Sequence, residues 1–271
     1  MSGSTRYPTE TLGGLITSQS YPPFIVPFDR NPHFTGREPQ LAELEEKFSE
    51  RGQTTKMAIT GLGGVGKTQL LLEFVYRVRD TYQNCSIIWI PATNMESLEQ
   101  AYLGVAQQLG IPRWAEDKAN VKRLVQNYLS KDSAGKWLLV FDNADDIDMW
   151  TANPSRNGEP GQLIGYLPRN ECGCVSFTTR DRKTAVKLTN TNIIEVSEMD
   201  EDVTAQLLQR SLTDPNLVKN QPDREARLEE LTYLPLAIIQ AAAYINENGI
   251  AFIDCLSLLA EQEEDVIDPS Q

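Results

Sequence analysis

At 271 residues, with 40% hydrophobic and 8% aromatic residues, the chain has the composition of a globular protein able to bury a sizeable core. Its formal net charge of −13 argues against a nucleic-acid surface, which needs basic patches, and against attraction to anionic membranes. Four cysteines (Cys85, Cys172, Cys174, Cys255) form no C-x-x-C pair and no zinc spacing, and the single histidine, His33, cannot build a metal site alone. Reduced thiols, the lack of a signal-peptide pattern and the lack of a membrane-length apolar run lead us to expect a cytoplasmic protein.

Residues 1 to 20 are small, polar and unpatterned and read as a mobile leader. The proline-punctuated stretch YPPFIVPFDRNPHF, residues 21 to 34, has to be extended, with Phe24, Ile25, Val26 and Phe28 set to lie against the domain. Thr35-Gly36-Arg37-Glu38-Pro39 is a turn into a helix over 40–50, whose Leu41, Leu44 and Phe48 face inward.

Next comes the stretch around which the chain is organised. The apolar run Lys56 to Thr60 reads as a buried strand and leads into GLGGVGKT, residues 61 to 68, which fits the P-loop pattern G-x-x-x-x-G-K-[ST]. A chance match in a chain of this length is on the order of one in a hundred at ordinary residue frequencies. Leu70, Leu71, Phe74, Val75 and Val78 then repeat at helical spacing, and Ile87 to Ile90 supply a second strand, so a βαβ unit surrounds the loop. Glycine-rich backbone brings N–H groups close to an anion, and the helix N-terminus aims further donors at the same point. The candidate phosphate-binding residues are therefore Gly61, Gly63, Gly64, Val65, Gly66, Lys67, Thr68 and Gln69. Lys67 would reach the β- and γ-phosphates, and the Thr68 hydroxyl would ligate Mg²⁺.

Amphipathic helices are predicted near 95–109 and 118–129, and apolar strands over 137–141, 174–179 and 193–196. Strands alternating with helices imply a mostly parallel sheet covered on both faces. The segment 153–162 is a surface loop. Past Asp200, which caps a helix carrying Val203, Ala205, Leu207 and Leu208, strand signals stop. Further helices are expected over 224–231, after Leu234-Pro235-Leu236-Ala237, and over 252–260, before an acidic tail.

Asp142 closes the strand 138–141. A carboxylate at the carboxyl end of a buried strand beside a P-loop is the Walker B arrangement for Mg²⁺, although Asp is also an ordinary turn residue in FDNADD. Asn143 follows, where many P-loop ATPases carry the Glu that orients the attacking water; an amide cannot act as a base, so hydrolysis should be slow. Asp145 and Asp146 could substitute in part or only hydrate a loop. Arg180 closes SFTTR in the same way and can pair with a γ-phosphate and report its presence, or serve as a surface ion-pair partner. Its neighbour Arg182 is expected to be exposed.

Five segments occur together and in order: FTGRE at 34–38, GLGGVGKT at 61–68, LLVFDNADD at 138–146, FTTRD at 177–181 and LPLA at 234–237. In this arrangement the chain resembles the NB-ARC/NACHT-type nucleotide-binding module of the STAND ATPases, the switch of plant disease-resistance proteins, apoptosome proteins and fungal NOD-like receptors (NLRs). The wording FDNADD and LPLAIIQAAAYI is most similar to the fungal branch. The resemblance spans about residues 24 to 262 and implies an α/β P-loop NTPase, a three-layer αβα fold with a mostly parallel sheet, followed by a small all-helical subdomain. The expected division is an extended leader over 1–28, the nucleotide-binding domain over 29–198 and the helical subdomain over 199–271.

By the same resemblance, Phe34, Thr35 and Arg37 would contact the adenine and ribose side, Pro235 would press on the base, and Arg180 would be the first sensor. On the residues alone, Pro235 reads as the first residue of a helix and Thr35-Gly36 as a turn, and both readings are compatible with ligand roles. The implied ligands are ADP in a resting state and ATP with Mg²⁺ in an active one, with slow hydrolysis as reset. The family's winged-helix MHD-like motif does not follow residue 237, so we expect a nucleotide-binding core and first helical subdomain of a larger receptor. Such a piece would be monomeric, while the whole receptor would self-assemble, plausibly in non-self recognition or cell death. The alternatives are a conventional P-loop NTPase or kinase with rapid turnover, and a module that holds nucleotide without hydrolysing it.

Overall fold

The apolar runs become the strands of one sheet. The computed structural model describes residues 22–50, 52–152, 162–214, 231, 233–250, 252, 254 and 255. The expected leader over 1–20, almost all of the loop over 153–162, all but Leu231 of the helix over 224–231 and most of the helix over 252–260 with its acidic tail lie outside the described residues. In chain order the strands are β1 (Phe24–Ile25), β2 (Thr55–Thr60), β3 (Cys85–Pro91), β4 (Lys136–Asp142), β5 (Gly173–Thr179) and β6 (Ile193–Glu195). They pair in the order β1-β3-β4-β5-β2-β6, and every pairing is parallel. The expected extended stretch thus does more than lie against the domain: Phe24 and Ile25 pair with Ile87 and Ile88 and begin the sheet.

A sheet buried on both faces needs apolar residues at successive positions, and alternate ones feed opposite cores. Along β4, Trp137, Leu139 and Phe141 point into one core while Leu138 and Val140 point into the other. The first core is covered by α3 (Met95–Gln108), α4 (Val121–Leu129), α5 (Ile147–Thr151) and α6 (Arg182–Thr189). Its centre is aromatic: Phe141 stacks on Phe177 at 5.4 Å, and Trp150 meets both rings edge-on. The second core is covered by α1 (Glu38–Ser49) and α2 (Lys67–Thr81). Layers of helix, sheet and helix make the three-layer αβα architecture.

After β6 the chain turns into α7 (Glu201–Ser211), which Asp200 caps by accepting the Val203 N–H at 2.8 Å. α7 packs on α8 (Pro235–Asn248) through Leu207, Leu208, Ile238, Ala242 and Ile245. Pro235 is the first residue of α8, where its missing N–H costs nothing. Among the described residues no helix is long and apolar enough to cross a membrane.

Candidate nucleotide-binding site

The order of the strands sets the site. β5 lies between β2, which runs into the glycine-rich loop, and β4, which ends at Asp142. The carboxyl ends of three parallel strands therefore meet on one edge, the place where open α/β sheets bind ligands.

At the loop, Gly61 leaves β2 at φ 153°, and a Cβ added there would sit 2.1 Å from the Val196 carbonyl oxygen. Only glycine lets β6 and the loop approach that closely. Gly66, at φ 92°, precedes α2 with no side-chain cap, so the first N–H groups of that helix are left for an anion. Lys67 is 8% exposed, and its Nζ donates to the carbonyls of Gly61 and Leu62 at 2.8 Å each. Burial pulls its pKa below the usual lysine value against the attraction of Asp145 and Asp142, with Arg180 adding to the fall. A phosphate at the loop would restore the charge that burial disfavours.

Asp142 is 5% exposed. It accepts the Thr68 hydroxyl at 3.0 Å and the Thr178 hydroxyl at 2.6 Å. Burial raises its pKa above the usual aspartate value, while the bonds from Thr178 and Thr68 oppose the rise. The two predicted metal ligands are thus brought into direct contact. Among the described residues no cluster of three or more His, Cys, Asp or Glu could hold a metal. A hydroxyl and a carboxylate suit a small hard cation that takes its other ligands from phosphate oxygens and water, as Mg²⁺ does.

Arg180, 69% exposed at its side chain, pairs through Nε with Asp145 Oδ2 at 3.2 Å. Asp145 Oδ1 accepts the Arg180 N–H at 2.6 Å and the Thr179 hydroxyl at 3.1 Å. Asp145 is therefore committed to orienting the arginine. Asp146 caps α5 by accepting from Asp148 N and Met149 N. Neither is a free base. Asn143 lines the cavity in the left-handed region at φ 61°, a conformation that asparagine tolerates better than most residues. Arg182 is exposed, as expected, and pairs with Glu195.

A cavity of about 900 Å³ opens over the loop. Its floor includes Gly63, Gly64, Gly66, Lys67, Thr68 and Gln69, and Arg180 and Pro235 also line it. α8 closes it from above: the Leu236 N–H donates to the Gly64 carbonyl at 3.2 Å, so the LPLA turn touches the loop directly. Val65 and Gly61 do not reach the cavity surface; Val65 is 1% exposed within the core.

The resemblance puts Phe34, Thr35 and Arg37 on the nucleoside side; from this part of the chain the cavity wall is formed by Pro27, Phe28, Asp29, Asn31 and His33. Phe34 packs against the core under α1 and α2. Arg37 turns away to donate to the carbonyls of Val65 and Ser197. The reason lies in Arg30, which donates to both carboxylate oxygens of the buried Glu73 and to Asp80, drawing residues 27–33 across α2. Asn31 extends the contact by donating to Gln69 Oε1 at 2.9 Å. Thr178 and this wall are the site residues that sequence reasoning missed.

Residues 33–157 match the AAA ATPase domain family. A nucleotide-binding leucine-rich repeat (NLR)-like protein of Hyaloscypha variabilis is 40% identical over 257 residues, which is 90% of this chain and 26% of that protein. A probable disease resistance protein of Arabidopsis thaliana is 26% identical over 188 residues, 67% of this chain and 25% of that protein. The chain spans about a quarter of the length of these curated relatives. Among solved structures, a Walker-type ATPase of Pyrococcus abyssi superposes with a TM-score of 0.60 at 15% identity, covering 86% of this chain and 73% of that one. The replication initiator DnaA bound to AMPPCP and single-stranded DNA superposes with a TM-score of 0.52 at 16% identity, covering 87% and 70%. At such identities these two likenesses speak for the fold alone. The loop, the Thr68–Asp142 pair and the sequence relatives together mark this chain as a nucleotide-binding P-loop ATPase domain similar to that of NLR-like proteins.

Proposed function

We propose that the chain is the nucleotide switch of a longer, cytoplasmic, NLR-like receptor: it holds ADP at rest, exchanges it for ATP with Mg²⁺, and hydrolyses ATP slowly. The carrying observation is the carboxylate set around the cavity. Asp142 is bonded to Thr68 and Thr178, Asp145 to Arg180 and Thr179, and the next position after Asp142 is the amide Asn143. With Asp142 and Asp145 both engaged and an amide at 143, no carboxylate among these residues at the end of β4 is left to act as a base, which supports binding with slow turnover. The bound cation would bridge phosphate oxygens and neutralise charge; Thr68 and Asp142 would hold it, Lys67 would meet the phosphates, and Arg180 would sense the γ-phosphate. Phe28 and Pro235 flank the space left for a base. We take 29–198 as the nucleotide-binding unit and 199–271 as the helical unit that closes over it. Likeness to a fungal NLR-like protein supports a role in non-self recognition or cell death, with self-assembly by the whole receptor.

The test is to denature purified protein and identify the released nucleotide by chromatography, then to measure steady-state turnover. Adenine nucleotide and turnover below about 1 s⁻¹, the low end of typical enzyme turnover, are expected. Faster turnover would favour a conventional NTPase, and none at all a module that only holds nucleotide. Arg37 stands apart from the proposed ligand set.

A further inference from the structure

Arg37 occupies the left-handed region at φ 66° at the start of α1, and its guanidinium reaches two segments far away in sequence. Nη2 donates to the Ser197 carbonyl at 2.7 Å and to the Val65 carbonyl at 3.2 Å, and Nη1 points to the Glu198 carbonyl at 3.5 Å. Val65 sits between Gly64 and Gly66 in the phosphate loop and is itself buried. Ser197 and Glu198 lead from β6 to Asp200, the cap of α7, so they are the strap by which the helical unit hangs from the sheet. The same junction is packed tightly. A Cβ added at Gly36 would lie 2.7 Å from Cγ1 of Val203 on α7, and the Met199 N–H donates to the Tyr233 carbonyl just before α8.

The chemistry of these contacts is informative. Burial lowers the Arg37 pKa, and Asp200 and Glu198 only partly oppose it. The bonds themselves go to backbone carbonyls, whose positions depend on the conformation of the loop and of the strap. The guanidinium holds both through Nη2 while Nη1 reaches Glu198, in a fixed plane that a lysine ammonium lacks. A shift of the loop at Val65 therefore changes one end of a bonded set whose other end is the strap.

We infer that Arg37 is a positioning residue that couples the phosphate loop to the helical unit, carrying the state of the loop at Val65 to the strap at Ser197–Glu198. It acts through the backbone it holds and does not line the cavity. This inference rests on the nucleotide-switch reading.

The experiment compares wild type with Arg37→Ala and Arg37→Gln, titrated calorimetrically with magnesium ADP and with magnesium pyrophosphate. Amide exchange over residues 200–208 is followed with and without ADP. Arg37→Gly, which relieves the backbone at φ 66°, serves as a further variant if the alanine protein does not fold. A pin weakens both ligands by the same factor, about tenfold for a lost charged hydrogen bond. Its loss also abolishes the ADP-induced protection of 200–208 expected of wild type, with Arg37→Gln intermediate. Weakening confined to ADP would mean a nucleoside contact and would overturn the inference. So would unchanged affinities with the exchange response intact. Wild type that binds neither ligand would overturn the nucleotide reading and this inference with it, an outcome distinct from the other two.

Discussion

Thr178 Oγ1 donates to Asp142 Oδ1 at 2.6 Å while accepting the Asn143 N–H at 2.8 Å, so one hydroxyl of β5 fixes both the last residue of β4 and the first residue beyond it. Thr178 is fully buried, and its bond is shorter than the one from Thr68. Asp142 is thus held from β5 and from α2, and its carboxylate cannot turn away from the loop without breaking one of these bonds.

Thr178→Val keeps the shape and removes that hydroxyl. The Asn143 N–H loses its acceptor and Asp142 keeps one donor. We expect magnesium-dependent ATP binding to weaken by about 1–2 kcal/mol, the cost of a buried group left unsatisfied. Metal-free ADP binding should change much less. Calorimetric titration with and without magnesium checks this, and equal losses in both would remove Thr178 from the metal side of the site.

The charge on Asp142 is held at a cost. In the unfolded chain its carboxyl ionises at the ordinary value, and in the fold burial raises it. Between those two pH values the folded protein keeps a proton that the unfolded chain has released. Stability therefore falls as pH rises through that window, and the cost persists at neutral pH. Asp142→Asn should accordingly raise the melting midpoint of the nucleotide-free protein, by about 2–4 °C for each kcal/mol recovered. The same change should remove the magnesium dependence of ATP binding. In wild type that dependence should fade on acidification at a higher pH than an ordinary aspartate would give. A lower midpoint for the variant at neutral pH would contradict the account.

The phosphate-loop glycines should differ sharply in tolerance. Gly61→Ala drives a Cβ to 2.1 Å from the Val196 carbonyl, which is backbone and cannot swing aside. We expect a loss of about 3 kcal/mol, the upper end of overpacking costs, or failure to fold. A Cβ at Gly63 meets nothing within 4 Å, and Gly63 has no positive φ. Gly63→Ala should leave stability within about 0.5 kcal/mol of wild type. Urea unfolding midpoints of the two variants decide the matter.

The core strands were legible because parallel strands buried on both faces are apolar at successive positions, as Trp137 to Phe141 are. The loop was legible because a phosphate cradle needs glycines and a lysine in fixed register. α5 and α6 were not, although each has an aspartate cap. With five and eight residues they are too short for a helical period to stand out, and α6 buries only Ala185 and Leu188 among its larger apolar groups. β1 has two residues among prolines and exists as a strand only through β3. The role of Thr178 depends on β5 lying between β4 and β2, a fact of topology that no local pattern carries. The wall at 27–33 is placed by Arg30 and Glu73, which are 43 residues apart in the chain. Long-range ion pairs of that kind leave no periodic trace in a sequence.

Asn143→Glu tests why turnover should be slow. The position lines the cavity just beyond Asp142, and its near neighbour Asp145 is taken up by Arg180 and Thr179. A glutamate can orient water and accept its proton where an amide cannot, and general-base contributions reach about 10²–10⁴-fold when geometry is right. Geometry here opposes the graft in part. Residue 143 sits at φ 61°, where glutamate is less at ease than asparagine, whose short polar side chain offsets part of the roughly 1–2 kcal/mol that this region costs an L-residue. That strain falls on the link between Asn143 N and Thr178, so some of the gain is spent on a looser Asp142. We therefore expect turnover to rise by roughly three- to thirtyfold, well short of the general-base ceiling. ATP affinity should change little. Asn143→Gly separates the two effects, because it relieves the backbone and adds no base, and its turnover should stay at the wild-type level. Single-turnover hydrolysis of radiolabelled ATP, with Lys67→Ala as the blank, measures all three. A glutamate variant that binds ATP as wild type does and hydrolyses it no faster would show that the missing base is not what limits the reaction. The Arg180–Asp145 pair would then be the next place to look, since releasing Asp145 requires Arg180 to move onto the phosphate.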